Sequence, residues 1–136
     1  MPDARALALA LALGLIPAPS FAQDRFTCTT EGFTTYDDDP GFVAANLRKT
    51  HLLELSGDRV TVTTSAPDFA DHIRIYLIRE QDQLHTIAAP EGRPDDRIFL
   101  PTDRARLLEE DGQFPVTITL QSFHFANSWL LACQPS

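Results

Sequence analysis

Short runs of alternating apolar and polar residues, separated by turn residues, fill most of the chain and constrain its fold more than any other feature. The clearest case is KTHLLELS and RVTVTTS, which flank Gly57-Asp58, a dipeptide typical of a two-residue hairpin turn. This register makes one face of the hairpin apolar. The facing pairs are Leu55 with Val60, Leu53 with Val62, and His51 with Thr64.

Further strands are predicted on both sides of this hairpin. HIRIYLIRE and QLHTIAA flank Gln81-Asp82, and RARLLEE and FPVTITLQS flank Asp111-Gly112. RFTCTT comes first, RIFLP follows the polar loop EGRPDD, and SWLLACQ closes the chain. The total of about eight or nine short strands predicts an all-β antiparallel sandwich or barrel. The hairpin at Asp111-Gly112 would pair Leu107 with Val116 and Ala105 with Ile118.

One segment, EGFTTYDDDPGFVAANLRKT, departs from the alternation. Asp39 followed by Pro40 is a typical N-cap with proline at the first helical position. We therefore predict a short helix over residues 40–49, lying across one end or face of the sheet. Its apolar stripe consists of Phe42, Val43 and Leu47.

The N-terminal segment is typical of a cleavable secretory signal peptide. An uninterrupted apolar run covers residues 6–16, which is shorter than the roughly 20 residues that a transmembrane helix needs. Ser20 and Ala22 place small side chains at the two positions that signal peptidase reads. We expect cleavage between Ala22 and Gln23, which leaves one β-domain over residues 23–136 that does not insert into the membrane.

The two cysteines, Cys28 and Cys133, lie in the first and last predicted strands. An exported chain meets an oxidising compartment, and a redox-active pair usually has the Cys-x-x-Cys spacing that is absent here, so we predict a structural disulfide. A disulfide between the terminal strands places the two ends of the sheet side by side. We therefore predict a small up-and-down barrel, with a β-sandwich as the alternative.

The net charge of -8 narrows the range of partners. The predicted cleavage removes one aspartate and one arginine, so the mature domain is equally acidic. Phosphate backbones and anionic lipid headgroups repel such a surface. We predict no nucleic-acid partner and no role on a membrane surface.

Four histidines are the main candidates for metal or acid–base chemistry, and they fall on or beside four different predicted strands. They are His51, His72, His85 and His124. None of the paired spacings typical of zinc ligands occurs, so we predict no metal site, although a site assembled across strands is left open. His51 lies on the apolar face of its hairpin, and we expect it at the rim with one ring nitrogen in contact with water.

The acidic clusters do not predict a catalytic or calcium site. Consecutive carboxylates at 37–39 point in different directions, so we expect a solvated loop that ends in the helix cap. Adjacent residues on a strand point to opposite faces, so neither Asp95-Asp96 nor Glu109-Glu110 would converge on one bond. No G-x-S-x-G elbow and no Gly-rich phosphate loop occurs. We therefore predict no catalytic residue and no cofactor.

The sequence allows the side chains of Phe123 and Phe125 to point either out of the barrel or into its core. If the strand continues its alternation, both rings point outward and form a partner-binding patch. A β-bulge near Gln121, or coverage by the predicted helix, would bury them instead. A two-residue turn at Ala126-Asn127 would keep the alternation that points both rings outward. A three-residue turn would favour the bulge that points them inward. We predict burial, because burying a phenylalanine contributes about 1.5–3 kcal/mol.

The overall plan, a short exported β-domain with its ends joined by a disulfide, is similar to that of the periplasmic lysozyme inhibitors of Gram-negative bacteria. The similarity covers the plan alone and assigns no site residue. We interpret the chain as a periplasmic or secreted, non-catalytic domain that binds a protein or a small apolar ligand in the cell envelope. The alternatives are a small hydrolase or metal-dependent enzyme with its site assembled across strands, and a purely accessory envelope protein. A polar cleft with two histidines would favour the enzyme, and an apolar cavity or patch would favour binding.

Overall fold

Strands that follow one another in sequence are neighbours in space. A computed structural model describes residues 24–67 and 69–136, and within them eight antiparallel strands form a closed barrel in which the last strand pairs with the first. The strands are β1 (Asp24–Thr34), β2 (Thr50–Ser56), β3 (Arg59–Ala66), β4 (Phe69–Gln81), β5 (His85–Ala89), β6 (Asp96–Pro101), β7 (Phe114–Gln121) and β8 (Ala126–Pro135). Helix α1 (Pro40–Leu47) joins β1 to β2, and helix α2 (Arg104–Asp111) joins β6 to β7. The predicted antiparallel barrel is confirmed.

The barrel interior is filled by alternate side chains of every strand. The largest fully buried side chains are Tyr76, Phe114, Leu53, Ile98 and Leu131. Complete burial of each large apolar side chain stabilises the fold by about 1.5–3 kcal/mol. The β2–β3 hairpin has the predicted register, because Gly57 adopts a positive φ of 61° at the two-residue turn.

The predicted disulfide between Cys28 and Cys133 is confirmed. The two residues face each other in the β1–β8 register, and both are fully buried. A buried disulfide indicates an oxidising compartment. No helix in the described part of the chain is long and apolar enough to cross a membrane. The predicted signal peptide, residues 1–22, lies outside the described residues and stays a prediction.

Helix α1 begins as predicted. The Asp39 carboxylate accepts a hydrogen bond from the Gly41 N–H at 3.2 Å, and Pro40 is the first helical residue. The preceding aspartates lie in an exposed loop, where the Asp37 carboxylate accepts the Asp39 N–H at 2.9 Å. The helix ends at Leu47, two positions earlier than expected, and Leu47 is exposed rather than part of a buried stripe.

Helix α1 is held against the barrel by an aromatic contact and by one polar residue. The ring centroids of Phe42 and Phe33 lie 5.7 Å apart in an edge-to-face arrangement. Asn46 is buried, and its Oδ1 accepts a hydrogen bond from Trp129 Nε1 at 3.1 Å. The helix therefore fixes the orientation of the Trp129 ring.

The predicted hairpin at Asp111-Gly112 is wrong, because the segment before it forms helix α2. Its residues are mostly strong helix formers, and the Asp103 carboxylate accepts the Arg106 N–H at its start. Gly112, with φ 73°, is the left-handed residue that ends the helix rather than a hairpin turn.

The strand pairs predicted for that hairpin are therefore absent. In the observed sheet Val116 pairs with Leu131, and Ile118 lies between Trp129 and Ile98. Glu109 and Glu110 lie exposed on the helix, and Glu110 accepts a hydrogen bond from Arg106 at 2.9 Å. Glu109 and Glu110 therefore do not lie on opposite faces of a strand, as the sequence predicted.

The β4–β5 hairpin is present, but its turn covers residues 82–84 and is longer than the predicted Gln81-Asp82 turn. Asp82 stabilises it, because its carboxylate accepts the N–H groups of Leu84 and His85 at 2.7 and 2.6 Å. These bonds also lower the pKa of Asp82.

The predicted burial of Phe123 and Phe125 is wrong. Phe123 is 104% exposed and Phe125 is 41% exposed. Strand β7 ends before them and β8 begins after them, so residues 122–125 form a loop that continues neither phase. The Ser122 N–H donates to the Phe125 carbonyl at 2.8 Å and closes this loop without a bulge.

Candidate functional site

A cavity of about 200 Å³ lies at the end of the barrel where β1 ends and β2 begins, which we call the cavity end. The β3–β4 turn and the β5–β6 and β7–β8 loops lie at the same end, because consecutive strands run in opposite directions. The apolar wall of the cavity consists of Val62, Ala66, Phe69, Ala70, Ile118 and Trp129. Its polar lining consists of Lys49, His51, Thr64, His72, Arg74 and Tyr76.

His51 is 4% exposed, and both of its ring nitrogens contact hydroxyl groups. Nδ1 lies 2.9 Å from Thr64 Oγ1, and Nε2 lies 3.4 Å from Thr30 Oγ1. Thr30 donates its own hydroxyl proton to the Lys49 carbonyl at 2.7 Å. The ring therefore donates from Nε2 and accepts at Nδ1, as a neutral imidazole does. The expected contact of one ring nitrogen with water is wrong, because a threonine on each neighbouring strand occupies that place.

Burial, and secondly the positive charge of Lys49, lower the pKa of His51 from 6.5 to about 4. The unfolded chain therefore binds a proton more readily than the folded chain. The stabilisation by the neutral ring is complete above pH 6.5 and is lost as the pH falls to about 4. We expect protonation of His51 to lower the free energy of unfolding by about 3 kcal/mol as the pH falls from 6.5 to about 4.

Urea unfolding of the wild type and of His51→Gln at pH 7, 5.5 and 4 tests this expectation. The wild type should lose about 3 kcal/mol more than the variant between pH 7 and pH 4. His124→Gln serves as the control, because that side chain is exposed in the β7–β8 loop, and it should follow the wild-type profile. Parallel pH profiles for the wild type and His51→Gln would contradict the expectation.

A second polar group joins β4 to β6. Asp96 is 2% exposed; its Oδ1 accepts a hydrogen bond from Tyr76 Oη at 3.0 Å, and its Oδ2 accepts one from Arg74 Nη1 at 3.1 Å. Burial and the adjacent Asp96 carboxylate raise the pKa of Tyr76. In the described residues, β4 pairs with β5 only from Leu77 onward, because β5 ends there. Before Leu77, the hydrogen bonds of Arg74 and Tyr76 to Asp96 connect β4 to β6.

The cationic side of the cavity consists of Arg74 and Lys49. Arg74 Nε donates to His72 Nε2 at 3.1 Å, in addition to its ion pair with Asp96. Lys49 is half-buried, and its Nζ lies 5.3 Å from the centre of the Trp129 ring. Burial, and secondly the charge of Arg74, lower the pKa of Lys49. Over residues 24–67 and 69–136, Lys49 makes no ion pair.

The four histidines predicted as candidates are divided between different places. His51 and His72 line the cavity, His85 is exposed at the β4–β5 turn, and His124 is exposed in the β7–β8 loop. In the described part of the chain, no group of three or more histidine, cysteine, aspartate or glutamate side chains is placed to hold a metal ion. Asp95 is exposed whereas Asp96 is buried, so this pair does not converge.

Most of the polar groups at the cavity were not singled out from the sequence. The residues not singled out are Lys49, Arg74, Tyr76 and, in the apolar wall, Trp129. Asp96, which accepts hydrogen bonds from Arg74 and Tyr76, was considered only together with Asp95. One signal was available, because His72, Arg74 and Tyr76 occupy alternate positions of one strand and therefore share a face. Nothing in the sequence indicated that this face points into the barrel.

The chemistry of the cavity combines features of both functional alternatives. Two histidines in a polar cleft are expected of an enzyme, and an apolar wall is expected of a binding protein. Within the described residues, however, neither cavity histidine contacts a carboxylate, and the acceptor nitrogen of each is occupied by a protein donor. The buried carboxylate, Asp96, is bonded to Tyr76 and Arg74. Both cavity histidines and the buried carboxylate are therefore hydrogen-bonded to other groups of the protein.

Comparisons with models of protein families, with curated proteins and with solved structures gave no match to this chain.

Proposed function

We propose that this protein is an exported, non-catalytic binding protein whose ligand occupies the cavity end of the barrel. The observation that carries the proposal is the cavity itself, where an apolar wall and fixed polar groups converge in the mouth of a closed eight-stranded barrel. Small ligands commonly bind in barrel mouths, between apolar surfaces with a few placed polar groups.

The polar groups of the cavity support binding because they are held in place before any ligand arrives. His51 is fixed by hydroxyl groups on both sides, and Arg74 is fixed by Asp96 and His72. Groups that are already ordered lose little conformational entropy when a ligand binds. The same hydrogen bonds limit these groups as acids or bases.

The compartment in this proposal is the periplasm, or the medium if the protein is released. The disulfide between Cys28 and Cys133 supports an oxidising environment, and the signal peptide predicted over residues 1–22 supports export. The acidic net charge of -8 supports a partner that is neither a nucleic acid nor an anionic membrane surface.

The fluorescence of Trp129 tests the proposed site directly, because this residue lines the cavity and is the one tryptophan in the chain. We expect single-ring aromatic compounds, tested as a panel of neutral, cationic and anionic members, to include at least one that shifts the Trp129 emission with saturation. Ala66→Phe should abolish that response, because Ala66 lines the cavity and a phenylalanine ring would occupy the space.

Ala105→Phe is the matched control, because it adds the same ring to the exposed surface of helix α2, far from the cavity. It should bind as the wild type does. The proposal would be wrong if no compound in the panel bound, or if binding survived Ala66→Phe in a folded protein.

A second candidate function, docking of a protein at the same end, is favoured by the exposed rings of Phe123 and Phe69. A double variant, F123S/F125S, tests whether these exposed rings contribute to small-ring binding. Phe123 and Phe125 do not line the cavity, so small-ring binding should persist in this variant if the cavity is the functional site.

A further inference from the structure

The balance of charge in the cavity is opposite to that of the whole chain. The chain carries a net charge of -8, but its cavity is lined by the cations Lys49 and Arg74. Asp96 compensates the charge of Arg74, and both of its oxygens already accept hydrogen bonds, from Arg74 and from Tyr76. Among the described residues this leaves Lys49 without an anionic partner.

The position of Lys49 is unfavourable for a cation. Lys49 is half-buried, and this burial, and secondly the positive charge of Arg74, lower the pKa of its ammonium group. Contact with the face of the Trp129 ring stabilises the ammonium group but supplies no negative charge. An anion bound beside Lys49 would relieve both the repulsion and the loss of hydration.

The remainder of the cavity is apolar and limits the size of the ligand. Trp129, Ile118 and Phe69 form a hydrocarbon surface around a volume of about 200 Å³. A dry protein cavity of about 150 Å³ accommodates benzene. The space therefore suits a single ring or a short branched chain together with one small polar group.

We infer that the cavity binds a small organic monocarboxylate, with its carboxylate at the Lys49 ammonium and the Arg74 guanidinium and its hydrocarbon part against Trp129 and Ile118. This inference rests on the proposed function and adds the chemical class of the ligand. Aromatic and branched aliphatic acids share this chemistry. Arginine and lysine recognise carboxylates through charge-assisted hydrogen bonds, which are stronger where water is partly excluded.

Titration of the Trp129 emission with benzoate, 3-methylbutanoate and benzamide tests the inference at pH 7. Benzamide has the shape of benzoate without its charge. We expect at least one of the two carboxylates to bind about tenfold or more tightly than benzamide. The tighter of the two shows whether the hydrocarbon part of the preferred acid is aromatic or branched aliphatic.

Lys49→Met should weaken carboxylate binding about tenfold or more and change benzamide binding by a much smaller factor. Lys49→Arg should retain most of the preference for the carboxylate. Arg48→Met is the matched control, because it removes the same charge from an exposed neighbour that does not line the cavity, and it should bind as the wild type does. Thermal unfolding of each variant establishes that it is folded.

The outcomes separate this inference from the proposed function. Equal affinity for benzoate and benzamide, unaffected by Lys49→Met, would overturn the preference for an anion and leave the cavity as a ligand site. A weakening by Arg48→Met as large as that by Lys49→Met would also overturn it, because the effect would then come from net charge. If none of the three compounds bound, and the wider panel also failed, the proposed function itself would be wrong.

Discussion

Replacing both cysteines, as C28A/C133A, is expected to lower the free energy of unfolding by about 4–5 kcal/mol. The disulfide closes a loop with a sequence separation of 105 residues, and a loop of that length restricts the unfolded chain strongly. It also joins β1 to β8, the two strands whose pairing closes the barrel and which come from opposite ends of the chain. Alanine is preferred to serine because both positions are fully buried.

Urea unfolding at equilibrium measures this effect. Reduction of the wild type should reproduce most of the loss, because the same loop is opened without any substitution. Alkylated thiols are unsuitable for the comparison, since both sulfur atoms lie in the core and an added group would disrupt packing. A loss below about 1 kcal/mol in C28A/C133A would show that the barrel closes without help from the disulfide.

The barrel could be predicted from sequence because its determinants are local. At the β2–β3 hairpin, two alternating runs flank a glycine turn, and this pattern is sufficient to set the register of Leu53 with Val62. The cysteines at the two ends then indicated that the first and last strands are neighbours. The N-cap at Asp39 marked the start of helix α1 for the same reason, since a cap depends on residues next to it in sequence.

Helix α2 was missed because two local signals conflicted. Asp111-Gly112 is typical of a hairpin turn, but a glycine in the left-handed conformation also ends helices. The residues before it are good helix formers, and the ion pairs of Arg106 with Asp103 and Glu110 have helical spacing. Helix propensity therefore outweighed a weak alternation.

The cavity could not be predicted, because its walls reverse the usual hydrophobic pattern. On β4 the apolar residues Ile73 and Ile75 are exposed, whereas Arg74 and Tyr76 point into the barrel. Alternation identifies two faces of a strand but not which of them points inward. The deciding factor is the partner of Tyr76, the Asp96 carboxylate on β6, which is 20 positions away in sequence.

Asp96→Ala is the second substitution for which we expect a large effect, a loss of about 3 kcal/mol or more in the free energy of unfolding. The substitution leaves the buried hydroxyl of Tyr76 without its acceptor and the Arg74 guanidinium without its counter-charge. The Arg74 side chain is 32% exposed and can reach water, so most of the cost comes from Tyr76 and from the opened contact between β4 and β6.

A double-mutant cycle with Tyr76→Phe identifies that source. Tyr76→Phe removes the buried hydroxyl, so D96A/Y76F should be more stable than the sum of the two single losses predicts. Asp96→Asn keeps the shape and an acceptor oxygen, and it should cost less than Asp96→Ala.

Because Asp96 connects β4 to β6 beyond the end of β5, amide hydrogen exchange in Asp96→Ala should increase first along the part of β4 that precedes Leu77. Additive losses in the cycle, together with unchanged exchange in β4, would mean that this end of the barrel is held by backbone pairing alone.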